Sequence, residues 1–481
     1  MIPISDKIAD YLTGLFGADA VTHYRQYLEA EPALYLRCNS IKTNRDDVQK
    51  NLFENYGIAT EIISEIADAL KVTVNRSFIG KTLEHSIGEY YIQSLSSMIP
   101  PLVLNPLPTD KVLDLCSAPG SKTTQVAALM QNKGTLLVNE IQLDRLKTLV
   151  FNLERMNVVN AGVIHSKGEA LSRFFQNHFD KILVDAPCSG LGIMQKKNEV
   201  SNWWTKEKAE QLGELQYRLL LSALKMAKVG GEIVYSTCTL SVEENEFVID
   251  KLLKKFPTRL AIGQVKLLPV TLPVISHNAF TQFHGVQLDE SLQNAKRIIP
   301  WEVNSEGFFI VKILKEDEIE ALNQAERKRH PFTFLPAKKI SKYLEQLTHI
   351  YEIRKDAFDR YKYLQKGNDI FFVTEDWDEE NLMMFERIGT KFGMIDKNDN
   401  LILHTQAAEI LQNEIHKNII ELSGNAELKK YLEGGTIKKD FPFRGQAVVK
   451  FRNALLGTGG ISVDGLKSRY PRSKRTQEIE Y

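Results

Sequence analysis

Between residues 111 and 314, short apolar runs alternate with amphipathic segments of helical spacing. The apolar runs are KVLDLC (111–116), TLLVNE (135–140), AGVIHS (161–166), DKILVDAP (180–187), GEIVYSTCT (231–239) and GFFIVKIL (307–314). Segments between them, such as QLDRLKTLVFNLERM, repeat apolar residues at positions i, i+4 and i+7. Buried strands separated by helices are typical of a parallel sheet covered on both faces. The sequence therefore predicts an α/β domain over residues 101–316.

The rest of the chain lacks this strand and helix rhythm. A chain of 481 residues is long enough for about three domains. A proline-rich stretch, MIPPLVLNPLPTD (98–110), and a charged one, KEDEIEALNQAERKRH (315–330), are predicted connectors. We predict an N-terminal α/β extension over residues 1–100, a middle domain over 317–385 and a mixed α+β domain over 386–481.

Composition excludes several classes of protein. The four cysteines are scattered without a CxxC pair, which indicates free thiols of a cytoplasmic protein and no metal site. The N-terminus, MIPISDKIADYLTGLFG, contains acids and does not resemble a signal peptide, and no apolar run is long enough for a membrane helix. The formal net charge is +0, so any contact with nucleic acid depends on local basic patches.

The first candidate site is the turn DLCSAPGSKTTQ, which follows the first strand of the α/β domain and begins a helix. Open parallel sheets bind nucleotide-like ligands at this position. Gly120 and small neighbours allow close approach of the main chain, although the turn is neither GxGxxG nor a P-loop. Glu140 follows the next strand and can accept hydrogen bonds from ribose hydroxyls. The alternatives are an ordinary βα turn and a helix N-terminal acid.

Two cysteines follow neighbouring strands. Cys188 and the preceding Asp185 come after the fourth strand, and Cys238 comes after the fifth. Parallel strands place these residues at one edge of the sheet, where two core-filling cysteines would be an unusual coincidence. Ser241 and Glu244 match a capping box, which predicts a helix start and a Cys238 thiolate near its N-terminus.

The C-terminal stretch is basic. Between residues 438 and 475 only Asp440 and Asp464 oppose ten cations. The cations are Lys438, Lys439, Arg444, Lys450, Arg452, Lys467, Arg469, Arg472, Lys474 and Arg475. Charge runs are usually solvated faces, but glycines and aromatic residues interrupt this one, as in DFPFRG and SRYPR. The mixture favours a nucleic-acid docking surface.

Together, DLCSAPGSKTTQ, VNE, VDAPCSGLG and YSTCTLSVEENE resemble the Nol/Nop/Sun family of RNA cytosine-5 methyltransferases. RCNSIKT (37–43) and GEYYIQSLSSMIP (88–100) are similar to its N-terminal extension. VVKFRNALLGTGGISVDGLKSRYPR is similar to the PUA-like RNA-binding end of the RsmF branch, which methylates bacterial small-subunit ribosomal RNA. The resemblance implies a Rossmann-like class I methyltransferase sheet with PUA-like domains. It also implies a cytoplasmic monomer that acts on RNA and not at a membrane. The implied RNA is ribosomal RNA, either free or in a ribosomal particle.

The resemblance also implies roles for individual residues. Cys238 corresponds to the nucleophile, Cys188 to the second cysteine and Asp185 to an acid between cofactor and cytosine. Glu140 corresponds to the acid that binds the ribose of S-adenosyl-L-methionine. The residues of the cofactor loop are Cys116, Ser117, Ala118, Pro119, Gly120, Ser121 and Lys122. No metal is implied.

One position departs from the family. Members often carry Asp-Gly after the third strand, with the acid near the adenine amine, whereas this chain has Lys167 in HSKGEA. A lysine ammonium cannot accept a hydrogen bond. If Lys167 contacts the cofactor, another group must recognise the adenine amine. Alternatively, the local alignment with the family is shifted by one residue.

Three other functions compete with this interpretation. A dehydrogenase would need the missing GxGxxG turn. A DNA cytosine methyltransferase would use the Pro-Cys cysteine, here Cys188, as its nucleophile. A non-catalytic ribosome-assembly factor would not need both cysteines. Within the RNA methyltransferase interpretation, transfer RNA is the alternative substrate.

Overall fold

The computed structural model describes residues 4–256, 264–319, 332–475 and 478–479. Its N-terminal part is a four-stranded sheet in the order β2-β3-β1-β4, flanked by helices. The elements are α1 (Asp6–Phe16), α2 (Ala20–Glu29), β1 (Leu34–Cys38), α3 (Arg45–Tyr56), β2 (Thr60–Ile62), β3 (Ala69–Val72), α4 (Leu83–Ser86), β4 (Tyr90–Ile92) and α5 (Ile99–Leu104). Leu36, Val48 and Leu52 fill the core of this part.

The central part contains the predicted α/β sheet. Its elements are β5 (Lys111–Asp114), α6 (Ser121–Leu129), β6 (Thr135–Asn139), α7 (Leu143–Arg155), β7 (Ala161–Ile164), β8 (Phe179–Asp185), α8 (Val200–Trp203), α9 (Lys206–Met226), β9 (Ala227–Thr237), α10 (Glu246–Lys255), β10 (Val265–Leu268), β11 (His277–Asn278), β12 (Gln282–Phe283), β13 (Val286–Gln287), β14 (Lys296–Ile298), α11 (Pro300–Val303) and β15 (Phe308–Lys315).

The sheet runs in the order β11-β14-β15-β9-β8-β5-β6-β7 and continues beyond β7. Strands β5 to β9 pair in parallel, and β15 joins β9 in the antiparallel sense. The chain leaves β5 toward β6 and β7, then returns to place β8 on the other side of β5. This reversal opens a crevice at the carboxyl ends of the strands, which is where such sheets bind ligands.

The C-terminal part forms two five-stranded sheets, in the orders β16-β17-β18-β20-β21 and β22-β24-β25-β26-β23. Its elements are β16 (Thr333–Phe334), α12 (Ala337–Tyr351), β17 (Tyr361–Lys366), β18 (Asp369–Thr374), β19 (Phe385–Ile388), β20 (Thr390–Ile395), β21 (Leu401–Leu403), α13 (Thr405–Ile410), β22 (Ile419–Glu421), α14 (Asn425–Leu432), β23 (Thr436–Ile437), β24 (Gly445–Phe451), β25 (Ala454–Ser462) and β26 (Gly465–Ser468).

Strand β19 connects the C-terminal part to the central sheet. It pairs with β7 in the antiparallel sense, so the central sheet has ten strands when β10 is included. A Cβ atom at Gly162 would lie 2.6 Å from the rings of both Trp377 and Phe385. Glycine is therefore required where these two rings cover the edge strand.

Apolar side chains cover both faces of the central sheet. Ile182, Val184 and Tyr235 contribute to one buried cluster, and Val112, Leu183 and Val234 contribute to the other. The alternation along β8 and β9 sends successive side chains to opposite helix layers. Across the described ranges, no helix is both long and apolar enough to cross a membrane.

Candidate active site

A cavity of about 670 Å³ lies at the carboxyl ends of β5, β6, β8 and β9. Its volume falls within the range of small-molecule sites. Of the residues singled out in the sequence, those that line it are Cys116, Ala118, Glu140, Asp185, Cys188 and Cys238. Parallel strands thus bring four separate stretches of the sequence to one edge, as predicted.

The turn after β5 is held against β6 by hydrogen bonds. Ser117 N–H donates to the Asn139 carbonyl at 2.9 Å, and the Asn139 amide donates to the Leu115 carbonyl at 3.1 Å. Gly120 has a φ of +105°, and a Cβ there would lie 3.1 Å from Leu149. The turn thus needs glycine for both its conformation and its packing against α7. Ser117, Pro119, Gly120, Ser121 and Lys122 support the turn without lining the cavity.

Glu140 is buried at the end of β6 with its carboxylate held in place. One oxygen accepts the Gln142 N–H at 2.8 Å, and the other lies 3.5 Å from Arg145. The side chain is only 3% exposed, yet it lines the cavity. Its position is suited to accept hydrogen bonds from a ligand's hydroxyl groups.

Lys167 does not line this cavity. It is exposed and lines a separate shallow pocket with His165, Arg173 and Phe174. The cavity is instead lined by the next two residues, Gly168 and Glu169. Glu169 is a carboxylate acceptor that the sequence comparison overlooked, because it lies two positions beyond the residue aligned with the family's aspartate.

Asp185 is tied to two side chains at the floor of the cavity. One carboxylate oxygen lies 2.7 Å from Lys122 Nζ, and the other accepts the Ser236 hydroxyl at 2.9 Å. Burial lowers the pKa of Lys122, but the Asp185 carboxylate outweighs it, so the net shift is upward. The Lys122 ammonium also lies 5.0 Å from the Phe308 ring centroid. Lys122 therefore lies behind Asp185, which itself lines the cavity.

The two cysteines meet at the same end of the cavity. Strands β8 and β9 pair Asp185 with Ser236, so the segments that follow emerge side by side. The Sγ atoms of Cys188 and Cys238 are 3.2 Å apart. The hydrogen bond to Cys238, followed by burial, raises the pKa of the Cys188 thiol well above its usual value. Cys188 is therefore a protonated thiol beside the second sulfur.

The predicted capping box does not form. Within the described residues the Ser241 side chain makes no capping hydrogen bond, a short 3₁₀ turn covers Val242–Glu244, and α10 begins at Glu246. Cys238 therefore does not lie at a helix N-terminus, and that explanation of a thiolate was wrong. Lys122, held by Asp185 at 2.7 Å, places a cation at this end of the sheet. Nearby cations stabilise thiolates.

The N-terminal helices hold the segment after Cys188, which sequence patterns did not indicate. Tyr24 donates a hydrogen bond to the Leu191 carbonyl, and the Gln195 amide donates to the Tyr27 carbonyl at 2.7 Å. Tyr11 accepts the Val242 N–H at 2.9 Å, after the Cys238 segment. Helices α1 and α2 therefore support the segments that follow the two cysteines.

The basic C-terminal stretch is only partly a free surface. Lys474 is 1% exposed and pairs with the buried Glu409, while Lys439 and Arg444 pair with Glu427 and Asp440. Lys438, Lys467 and Arg472 are exposed. The surface available to nucleic acid is therefore smaller than the sequence indicates.

Known proteins share both the sequence and the fold. Residues 101–314 match the family described as 16S rRNA methyltransferase RsmB/F. A ribosomal RNA small subunit methyltransferase F from Shewanella piezotolerans is 32% identical over 403 residues, which cover 82% of this chain and 81% of that protein. A methyltransferase homolog from Pyrococcus horikoshii superposes with a TM-score of 0.57 at 34% identity, covering 65% of this chain and 96% of that one.

A longer eukaryotic protein is similar over part of its length. The 26S rRNA (cytosine-C(5))-methyltransferase nsun-1 of Caenorhabditis elegans is 37% identical over 328 residues, which cover 64% of this chain. The match spans 46% of the nematode protein, so this chain corresponds to less than half of it.

Proposed function

The chain belongs to the 16S rRNA methyltransferase RsmB/F family, and from this we propose that it methylates C5 of a cytosine in RNA. The proposed substrate is small-subunit ribosomal RNA, free or within a ribosomal particle, and the proposed methyl donor is S-adenosyl-L-methionine. The observation that carries the proposal is the pair of thiols 3.2 Å apart in one cavity with Asp185, which Lys122 holds at 2.7 Å.

The cavity suits the cofactor. Glu140 and Glu169 provide carboxylate acceptors for ribose hydroxyls and for an amine, and the half-exposed Ile141 provides an apolar surface for a purine ring. S-adenosyl-L-methionine, when bound, supplies an electrophilic methyl group. Lys167 does not line this cavity, so Glu169 is the better candidate to accept a hydrogen bond from the adenine amine.

Cys238 is the proposed nucleophile. Cytosine C5 is a weak nucleophile, and addition of a thiolate to C6 raises the electron density at C5. Lys122, which Asp185 holds at 2.7 Å, is the cation proposed to favour the attacking thiolate. The base must be splayed out of its helix or loop to reach Cys238.

Asp185 and Lys122 together are proposed to supply a proton or a hydrogen bond to N3 of the cytosine. Negative charge develops on the ring when the C6–S bond forms, and a proton or hydrogen bond at N3 neutralises it. Asp185 is paired with Lys122 at 2.7 Å, and the Lys122 ammonium carries protons that the pair can supply. The proton therefore comes from the Lys122 and Asp185 pair.

Cys188 is proposed to assist release. After methyl transfer the proton on C5 must leave, the C5–C6 double bond re-forms and the Cys238 sulfur is expelled. The raised pKa of Cys188 keeps a proton on its sulfur, 3.2 Å from the leaving Cys238 thiolate. As solvent takes the C5 proton, the C5–H electron pair re-forms the C5–C6 double bond, and the Cys188 thiol protonates the Cys238 sulfur as the C6–S bond breaks. The Cys188 thiolate then regains a proton from solvent.

Sequencing of bisulfite-treated total RNA, from cells with and without the protein, tests the proposal. We expect one cytosine of small-subunit ribosomal RNA to lose its protection when the protein is absent. Loss of protection at a cytosine of transfer RNA instead would assign the same reaction to that substrate. Identical patterns, together with no methylation of RNA by the purified protein, would overturn the proposed activity.

A further inference from the structure

The main chain on both sides of Cys188 is held by two buried side chains. Glu244 Oε2 accepts the Ser189 N–H at 2.8 Å, and Gln216 Nε2 donates to the Pro187 carbonyl at 2.9 Å. Gln216 Nε2 also donates to Glu244 Oε2 at 2.9 Å, so the two side chains form one unit. We call Glu244 and Gln216 the brace. It contacts the peptide groups immediately before and after Cys188.

The brace also belongs to the segment that carries Cys238. Glu244 lies in the short turn after Cys238, and its main-chain carbonyl accepts the Tyr235 hydroxyl at 2.6 Å. A second link joins the two segments, since the hydroxyls of Ser189 and Thr239 are 2.9 Å apart. Gln216 comes from the middle of α9, which fixes the brace to the body of the domain. The brace therefore relates the position of one cysteine to that of the other.

A purely structural role would not require these side chains. Both are 0% exposed, and among the described residues Gln216 Oε1 has no hydrogen-bond partner. Burial also raises the pKa of Glu244, which shows that its charged form is disfavoured there. Incompletely satisfied polar groups in a core destabilise the fold relative to apolar residues of similar size. A site that retains them gains something other than stability.

We propose that Glu244, supported by Gln216, is a positioning residue that holds the Cys188 thiol against Cys238 during release of the RNA. This inference rests on the proposed function, since it assumes that Cys188 assists release. Without the brace, the Pro187–Ser189 peptides are free to rotate, and the Cys188 sulfur leaves its place beside the leaving thiolate. Formation of the Cys238 adduct needs Lys122 and Asp185 and does not need the brace.

The test compares adduct release with methyl transfer. Glu244→Ala should raise the fraction of RNA bound covalently to the protein roughly ten-fold, while the single-turnover rate of methyl transfer changes by less than about three-fold. Glu244→Gln should behave like the wild type, because its amide oxygen still accepts the Ser189 N–H. Gln216→Ala should show the defect of Glu244→Ala in weaker form.

Glu243 provides a matched control. It is a buried glutamate in the same turn, 3% exposed, but its carboxylate accepts a hydrogen bond from Tyr11 rather than from the Cys188 loop. Glu243→Ala should leave the adduct at the wild-type level. A folded Glu244→Ala protein without excess adduct, or equal excess in Glu243→Ala, would overturn the inference. If Glu244→Ala does not fold, Gln216→Ala decides in the same way.

A second measurement does not depend on RNA. Diamide takes two electrons and two protons from a pair of thiols, which then join as a disulfide. In the wild type, the Cys188–Cys238 disulfide should form fast because the sulfurs are 3.2 Å apart. Mass spectrometry should show that disulfide formation is roughly ten-fold slower in Glu244→Ala than in the wild type. The rate in Glu243→Ala should be unchanged. If the wild type methylates no RNA, the proposed function fails, whereas an unchanged oxidation rate in Glu244→Ala rejects the brace alone.

Discussion

The sulfur atoms of Cys188 and Cys238 lie 3.2 Å apart, although fifty residues separate them in the sequence. Each follows the carboxyl end of its own parallel strand, and the pairing of Asp185 with Ser236 sets the two segments in register. Two thiols at this distance can pass a proton between them. The proposed division between nucleophile and release group depends on this proximity.

Replacing the nucleophile should abolish methyl transfer. We expect Cys238→Ala to transfer no methyl group to RNA, because it removes the sulfur proposed to attack C6, while cofactor affinity measured by calorimetry stays within about two-fold of the wild type. Cys38, a buried cysteine far from the cavity, supplies the control Cys38→Ala. Full activity in Cys238→Ala would contradict the assignment.

Replacing the second cysteine should trap the reaction after methyl transfer. Cys188→Ala should accumulate a covalent RNA–protein adduct, visible as a shifted band on a denaturing gel. RNA containing 5-fluorocytosine should trap the wild type through Cys238, identified by mass spectrometry of the cross-linked peptide. Trapping through Cys188 would instead assign the roles as in DNA cytosine methyltransferases.

Cofactor binding should depend on Glu140 and not on Lys167. Glu140→Gln removes the charge of the acceptor at the end of β6, and we expect S-adenosylhomocysteine affinity to fall about ten-fold. Lys167→Ala should leave the affinity unchanged, because Lys167 lines the neighbouring pocket. Equal losses in both variants would show that the ligand extends beyond the cavity described above.

A buried ion-pair group should contribute strongly to stability. Glu409 pairs with Lys42 at 3.0 Å and with Lys474 at 3.3 Å, and all three side chains are at most 9% exposed. Glu409→Ala leaves two buried ammonium groups without their carboxylate, so we expect the free energy of unfolding to fall by about 3–5 kcal/mol. Glu414→Ala, which breaks the more exposed pair with Arg360, should cost less than about 1 kcal/mol. Chemical unfolding of the wild type and of both variants measures the two losses in the free energy of unfolding.

Stability should fall as the pH decreases from 7 to 5, in part through His404. Burial, aided by Lys391, Arg387 and Lys474 and opposed by Glu154, lowers the pKa of His404 to about 4. The unfolded chain takes up a proton near pH 6.5, whereas the folded chain does so only near pH 4. Acidification therefore favours unfolding across that interval, by about 2 kcal/mol between pH 7 and 5. Urea unfolding of His404→Gln should show a correspondingly smaller pH dependence.

The parallel core of the fold could be predicted because its signals are local. Runs such as DKILVDAP carry their own strand pattern, and parallel strands necessarily bring Asp185, Cys188 and Cys238 to one edge. The turn at Gly120 and the acid Glu140 follow from the same logic. The fold class and the grouping of the cysteines therefore depended on little beyond periodicity and spacing.

Other features depended on contacts between distant residues. Glu244 matches a capping box in the sequence, but in the structure its carboxylate accepts hydrogen bonds from Ser189 and Gln216. The sequence places Lys122 in the cofactor turn, but in the structure its ammonium pairs with Asp185 on the neighbouring strand. Strand β19 pairs with β7 more than two hundred residues away, and no local pattern announces that pairing. Such choices are decided by tertiary packing.

The pairing of β19 with β7 covers a sheet edge that the central part would expose if its C-terminal part were removed. A shortened protein ending at residue 316 would expose the unpaired main chain of Ala161–Ile164 and the apolar surface that Trp377 and Phe385 cover. Bare strand edges recruit strands from other molecules. Aggregation of such a fragment would then reflect a missing neighbour at the sheet edge, not a failure of the catalytic half to fold.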